Sequence, residues 1–333
     1  LSQLLAQLFE AMAHGGTFGA DDILHFNGGL FADAAVVDVA LDEIQTLNFV
    51  AGLDWSSVEP HVFGTLFERI LDPDKRSQIG AHYTSRADIE TLLQPVVMQP
   101  LRREWDAVKA ECEALWPKIQ KTGRDQARKH TAKASPARKK FDKLLADFTD
   151  RLHEVTVLDP ACGSGNFLYV ALNLLLDLNK EVISYGAQHG VTLFPTVKPT
   201  QLLGIEINEY AQELASVVIW IGYLQWMHDN GFTPHLDPVL EPFDSIRRMD
   251  AILDLSNPKH PREPEWPAAE FIVGNPPFLG GKLMRSSLGN DYMESLFKVW
   301  DGGVRPEADL CCYWFEKARS QIERKATKRA GLL

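Results

Sequence analysis

After residue 153 the sequence changes rhythm, and that rhythm constrains the fold more than any other feature. Short β-branched or apolar runs at 155–158, 202–207, 245–250 (the weakest) and 271–273 alternate with stretches of helical length, one reaching Val182 and another running from Tyr210 to Met227. Strands that alternate with helices return to their sheet in parallel, with the helices covering its faces. Residues 154–333 are therefore expected to form a doubly wound α/β core. The final Ala330-Gly331-Leu332-Leu333 reads as a helix exit followed by the first residues of a fifth strand. With Leu1 at the other end, the chain reads as a fragment whose core is truncated at that strand.

Residues 1–100 read as mainly helical. Helix-start chemistry at Asp54-Trp55-Ser56-Ser57 precedes Val62, Phe63, Leu66, Phe67 and Ile70 at helical spacing, and Gly28-Gly29 marks a turn. Residues 101–153 shift to Lys, Glu, Asp, Ala and Arg with scattered Leu and Trp, the pattern of a helical hairpin breaking near Ser135-Pro136. From 118 to 140 this segment holds nine Lys or Arg against one acid, Asp125, in a chain whose net charge is −11. Phosphate contact needs local positive charge rather than a basic average, so the acidic total does not exclude a nucleic-acid partner. A solvated hairpin explains the basic segment more simply.

No apolar run is long enough to span a bilayer, and no signal sequence opens the chain, so no membrane partner is expected. The four cysteines, Cys112, Cys162, Cys311 and Cys312, form no Cys-x-x-Cys pair. A reduced cytoplasmic protein without a metal site is the economical expectation.

Three segments carry chemistry. In Leu158-Asp159-Pro160-Ala161-Cys162-Gly163-Ser164-Gly165-Asn166-Phe167 a strand ends on an acid, two glycines turn the backbone tightly, and a helix begins. Glycines without Cβ atoms let a ligand approach the main chain above a helix N-terminus. Such a turn serves many nucleotide folds, but Leu168 stands where a dinucleotide fingerprint has its third glycine. An acid directly before the turn suits a cationic ligand better than a pyrophosphate. The second run ends Gly204-Ile205-Glu206-Ile207-Asn208, where Glu206 can accept both hydroxyls of a ribose and Asn208 can cap the next helix. The fourth ends Gly274-Asn275-Pro276-Pro277-Phe278. Two prolines remove two donors and stiffen the loop, so Asn275 and the Pro276 carbonyl can present acceptors in one geometry, with Phe278 as a stacking face.

Asp-Pro-Ala-Cys-Gly-Ser-Gly followed by Asn-Pro-Pro-Phe, with Gly80-Ala81-His82-Tyr83-Thr84-Ser85 upstream, resembles the gamma-class amino-methyltransferases of DNA. Asn275-Pro276-Pro277-Phe278-Leu279-Gly280-Gly281-Lys282 and Ala308-Asp309-Leu310-Cys311-Cys312-Tyr313-Trp314-Phe315-Glu316-Lys317-Ala318 are similar to the MmeI-type branch, in which one polypeptide joins nuclease, methyltransferase and target recognition. The resemblance runs from about Asn27 to Leu333. It implies a class I, Rossmann-like fold, S-adenosylmethionine as cofactor, and methylation of adenine N6 in double-stranded DNA. Tyr83 and Thr84 would then meet the methionine end, with Asp159 near its amino group. Ala161, Gly163, Gly165, Asn166 and Phe167 would line the turn beside it. Glu206 would hold the ribose, Ile207 would pack on the adenine ring, and Asp250 (less favourably Asp244) would accept from its amine. Asn275, Pro276, Pro277 and Phe278 would receive a base flipped from the duplex. Ser85 with Asp88 also reads as a capping box, which explains that pair without any ligand.

Other readings stay open on the residues alone. The acceptor could be another planar amine: cytosine N4, an rRNA base or a glutamine side chain. A catalytically silent DNA-holding scaffold would have little use for the intact Asn-Pro-Pro-Phe, and a nicotinamide oxidoreductase is disfavoured by the missing third glycine. No Asp…Glu-x-Lys nuclease site stands in the sequence.

Overall fold

The computed structural model describes residues 2–23, 36–53, 58, 62, 84–129, 135–232 and 245–333, apart from the side chains of 123–129. Its centre is a five-stranded, all-parallel sheet of β3 (Val157–Asp159), β4 (Leu202–Glu206), β5 (Ile246–Arg248), β6 (Phe271–Gly274) and β7 (Arg329–Leu332), in the order β5-β4-β3-β6-β7. The α/β expectation holds, and the strands fall on the runs read from the sequence, within two residues at most ends. The chain winds outward from β3 to β5, then crosses back to β6 and β7. The strand order therefore reverses beside β3, and in open α/β sheets the crevice at such a point is where ligands bind.

Side chains alternate across the sheet with the period of two that a strand imposes. Val157, Leu202, Phe271 and Val273 point into one apolar core, and Leu158, Ile205 and Ile272 into another. The central strands β3 and β6 are buried throughout, as parallel strands covered on both faces must be. Strand β5, at one end of the order, carries Arg247 and Arg248, whose charge discourages pairing with a further strand on that side.

The first core is covered by α6 (Asn166–Gln188) and α7 (Glu209–Asp229), with an outer layer from α3 (Arg86–Leu93), α4 (Gln99–Lys129) and α5 (Pro136–Glu154). Helix α6 is apolar around most of its girth, because it is sandwiched between sheet and outer layer. Helices α4 and α5 pack on one another; Ser135 caps α5 by accepting from the Arg138 N–H at 3.2 Å, and Pro136 takes the first turn, where no N–H is needed. Between α3 and α4, Pro95 lacks the N–H that a helical ladder requires, and Gln94–Met98 widens into a π turn. Strand β7 packs directly on it: a Cβ on Gly331 would lie 2.5 Å from Val96.

The second core is covered by α8 (Gly281–Leu288), α9 (Asn290–Val299) and α10 (Cys311–Glu323), together with the irregular stretch 251–269. The described N-terminal residues hold α1 (Ser2–His14) and α2 (Leu41–Ala51), and also an antiparallel pair, β1 (Gly16–Phe18) with β2 (Asp21–Ile23), which the sequence did not signal. The helix read from Asp54 through Ile70 and the Gly28-Gly29 turn lie outside the described residues, Val58 and Val62 excepted.

Candidate active site

The carboxyl ends of β3, β4 and β6 meet at the point where the strand order reverses, and they bring the three chemical segments together. Strand β3 ends on Asp159, which is fully buried. Its Oδ1 accepts from the Ala161 N–H at 3.0 Å, whereas Oδ2 is buried with no partner among the described residues. The chain then turns through Gly163 (φ +52°) and Gly165 (φ +85°), left-handed conformations that a Cβ strains. Gly165 also lies against α7, where a Cβ would come 3.1 Å from Ala215. No side chain caps α6 at Gly165, so first-turn N–H groups remain for a ligand.

Glu206 does more than stand at a strand tip. Its Oε2 accepts from the Gly163 N–H at 2.9 Å and its Oε1 from the Asn208 N–H at 2.8 Å, so the carboxylate ties the glycine turn to the end of β4. Asn208 caps α7, accepting from the Ala211 N–H at 3.0 Å. Burial pushes the Asp159 carboxyl up to about 7, reinforced by the neighbouring Glu206 and opposed by the Ala161 N–H. Glu206 is raised by burial too, against the pull of the Asn208, Gly163 and Ile207 N–H groups. Neither acid has an ion-pair partner among the described residues. Two desolvated carboxylates without a cation favour a positively charged ligand.

Strand β6 delivers the third segment. A Cβ on Gly274 would meet Asp159 Oδ1 at 2.4 Å, so only glycine lets β6 run this close to the acid. Asn275 Nδ2 donates to Thr84 Oγ1 at 3.0 Å, which leaves Asn275 Oδ1 buried and without a partner among the described residues. Pro276 is buried and Pro277 half-buried. By contrast, Phe278 is 45% exposed and Ile207 59% exposed, so both offer open apolar faces. Thr84 reaches Asn275 from the start of α3, which Ser85 caps through the Asp88 N–H at 3.2 Å. The Ser85–Asp88 pair is thus accounted for by capping.

Asp250 follows β5. Its Oδ1 accepts from the N–H groups of Ile252 (2.8 Å) and Leu253 (3.1 Å), and its Oδ2 from the Tyr292 hydroxyl at 2.7 Å. Burial raises its pKa against these donors. Tyr292 lies 42 residues away in sequence, and nothing in its own neighbourhood pointed to this pairing. Asn166 Oδ1 is buried and without a partner among the described residues, whereas the Phe167 side chain packs in the first core. Tyr83 and Asp244 lie outside the described residues. In the basic segment, Arg138 holds Asp142 and the His189 and Gly190 carbonyls, and Lys140 pairs with Glu111. Among the described residues no His, Cys, Asp and Glu cluster could hold a metal, and no helix is long and apolar enough to cross a membrane.

This geometry has relatives. DNA methyltransferase A of Bacillus subtilis (strain 168) is 26% identical over 279 residues, covering 79% of this chain and 27% of the relative. A putative type II restriction enzyme and methyltransferase of Methanocaldococcus jannaschii is 23% identical over 239 residues, covering 61% of this chain and 19% of the relative. Among solved structures, the Type IIL restriction-modification enzyme MmeI in complex with DNA matches 97% of this chain and 40% of its own, with a TM-score of 0.69 and 25% identity. The chain thus spans less than half the length of each of these relatives. The family model of the MmeI DNA-methyltransferase domain matches residues 129–332, and the chain belongs to that family of DNA-methyltransferase domains.

Proposed function

We propose that this domain transfers the methyl group of S-adenosylmethionine to N6 of an adenine flipped out of double-stranded DNA, within a longer restriction-modification or phage-defence polypeptide that also carries target recognition and a nuclease. Such a protein would work in the cytoplasm of a bacterium or archaeon. The observation that carries the reading is the juxtaposition of two buried acceptors without a partner among the described residues, Asp159 Oδ2 and Asn275 Oδ1, on neighbouring strand ends. One suits a cationic donor and the other a substrate amine.

The residues fit the cofactor. Asp159 would face its ammonium group, with the Gly163–Gly165 backbone and Ala161 and Asn166 beside it. Glu206 keeps acceptor capacity beyond that used on the Gly163, Asn208 and Ile207 N–H groups, enough for a ribose hydroxyl. Ile207 offers an apolar face to the adenine ring and Asp250 an acceptor to its amine; Thr84 would meet the methionine end, where the resemblance also assigns Tyr83. When bound, the cofactor supplies an electrophilic methyl group on a sulfonium.

The chain's own residues handle the nucleophile. The lone pair of an adenine amine is delocalised into the ring, which makes it a weak nucleophile. Asn275 Oδ1 and the Pro276 carbonyl accept the two amine hydrogens, favouring a tetrahedral nitrogen whose lone pair can point at the methyl. As the N–C bond forms and the S–C bond breaks, a neutral thioether leaves and the nitrogen sheds one of those hydrogens to water as a proton. Neither proline offers an N–H, so two backbone donors are missing from the loop between Asn275 and Phe278. Phe278 stacks the extruded base. No covalent enzyme intermediate is required, and burial holds the Cys162 thiol well above its ordinary value, unfit as a nucleophile.

Asn275→Ala in the full-length protein should lower methyl transfer to DNA by about 10²- to 10³-fold, the scale of a lost transition-state hydrogen bond. Its cofactor affinity should stay within about threefold of wild type, because Asn275 is assigned to the base and not to the donor. Transfer at the wild-type rate would overturn the assignment.

A further inference from the structure

The segment from Glu307 to Trp314 lies on the second core, outside the three loops that form the site, yet it touches two of them. Asp309 Oδ1 accepts from the Leu279 N–H at 3.0 Å, and the Leu310 N–H donates back to the Leu279 carbonyl at 3.0 Å. Leu279 directly follows Phe278 and is itself buried. The same Asp309 oxygen meets the Cys311 N–H at 3.4 Å, which fixes the carboxylate to the first turn of α10. Packing closes the contact: a Cβ on Gly281 would stand 2.7 Å from the Glu307 carbonyl oxygen. Three residues beyond Cys311 on α10, the buried Trp314 indole donates to the Pro160 carbonyl at 2.9 Å, between Asp159 and Ala161 in the glycine turn.

We infer that the start of α10 is a clamp that sets the separation between the catalytic loop and the cofactor turn, with Asp309 and Trp314 as its positioning residues. The inference rests on the reading of Asn275 and Phe278 given above. The loop from Asn275 to Phe278 is fixed at one end by β6 and stiffened by its prolines. Its other end is held through Leu279, and Asp309 supplies the side-chain half of that hold. In-line transfer depends on the approach of amine to methyl, and a misplacement of roughly 1 Å costs on the order of 10²-fold in rate. Holding both loops on one rigid helix start fixes that approach without touching either reactant.

The test uses the full-length protein, labelled S-adenosylmethionine and plasmid DNA, with single-turnover rates measured per cofactor-binding molecule. Asp309→Ala should slow the single-turnover rate by about 10- to 100-fold while cofactor affinity stays within about threefold. Asp309→Asn keeps an accepting oxygen and should restore the rate to within a few-fold of wild type. A merely structural role would lower melting temperature and active fraction but leave the rate per competent molecule unchanged; that result overturns the clamp. So does an Asp309→Asn variant as slow as Asp309→Ala, since the acceptor would then not be what matters. Asn275→Ala, run alongside, separates the two levels: if it retains wild-type transfer the underlying reading fails, and if it is inactive while Asp309→Ala is unimpaired only the clamp fails.

Discussion

Asp159 shows what a single residue contributes and how that contribution can be measured. It is fully buried, lies near Glu206, has among the described residues only the Ala161 N–H to stabilise its charge, and its carboxyl is pushed up to about 7. A raised carboxyl holds its proton in the folded state, so its contribution to stability is present below the ordinary carboxylate range and is lost as pH rises through about 7. A cationic ligand reverses the preference, because it binds the ionised form more tightly. Cofactor affinity should therefore strengthen between about pH 6 and about pH 7.5, with proton release at the lower value. Calorimetry in buffers of different ionisation enthalpy would detect that proton, and Asp159→Asn should abolish both effects. Affinity independent of pH in the wild-type protein would show that Asp159 does not face the cation. The acid itself was legible in the sequence, because strand, acid, glycine turn and helix are contiguous there. Its unpaired oxygen was not, since partners are decided by residues far along the chain.

At the scale of elements, the glycine turn, the strand tips and the Asn-Pro-Pro-Phe loop could be read because each packs its chemistry into a few consecutive residues. The contacts that hold them could not. Gly163 with Glu206, Asp250 with Tyr292, Leu279 with Asp309 and Asn275 with Thr84 lie 43, 42, 30 and 191 residues apart. The β1–β2 pair was missed for another reason: strands of three residues, Gly16–Phe18 and Asp21–Ile23, are too short to show alternation and contain the strand-poor residues Gly and Asp. Helix placement has its own test. Arg151 near the end of α5 bonds Glu270 just before β6 and Glu104 on α4, while Lys328 just before β7 also pairs with Glu270. This network joins the helical hairpin to the sheet end opposite the site. Arg151→Ala would leave the largely buried Glu270 with only the exposed Lys328 and should destabilise folding by about 2–3 kcal/mol. Chemical denaturation would measure that loss, and the single-turnover rate of the folded fraction should not change. A rate loss matching Asp309→Ala would mean that the hairpin reaches the chemistry.

For the whole molecule, the sheet order β5-β4-β3-β6-β7 does what no single motif could, since it gathers segments more than a hundred residues apart in one crevice. The alternation of strands and helices made that sheet predictable; its order was not written in any one segment, and only the handedness and brevity of the connections limit it. Membership of the MmeI DNA-methyltransferase domain family follows from the match over 129–332, whereas the target base rests on chemistry at Asn275 and on resemblance. That makes the methylated base the central measurement. The full-length protein, labelled S-adenosylmethionine and plasmid DNA should yield label in N6-methyladenine after digestion to nucleosides. Label in N4-methylcytosine, or in RNA or protein instead of DNA, would contradict the account.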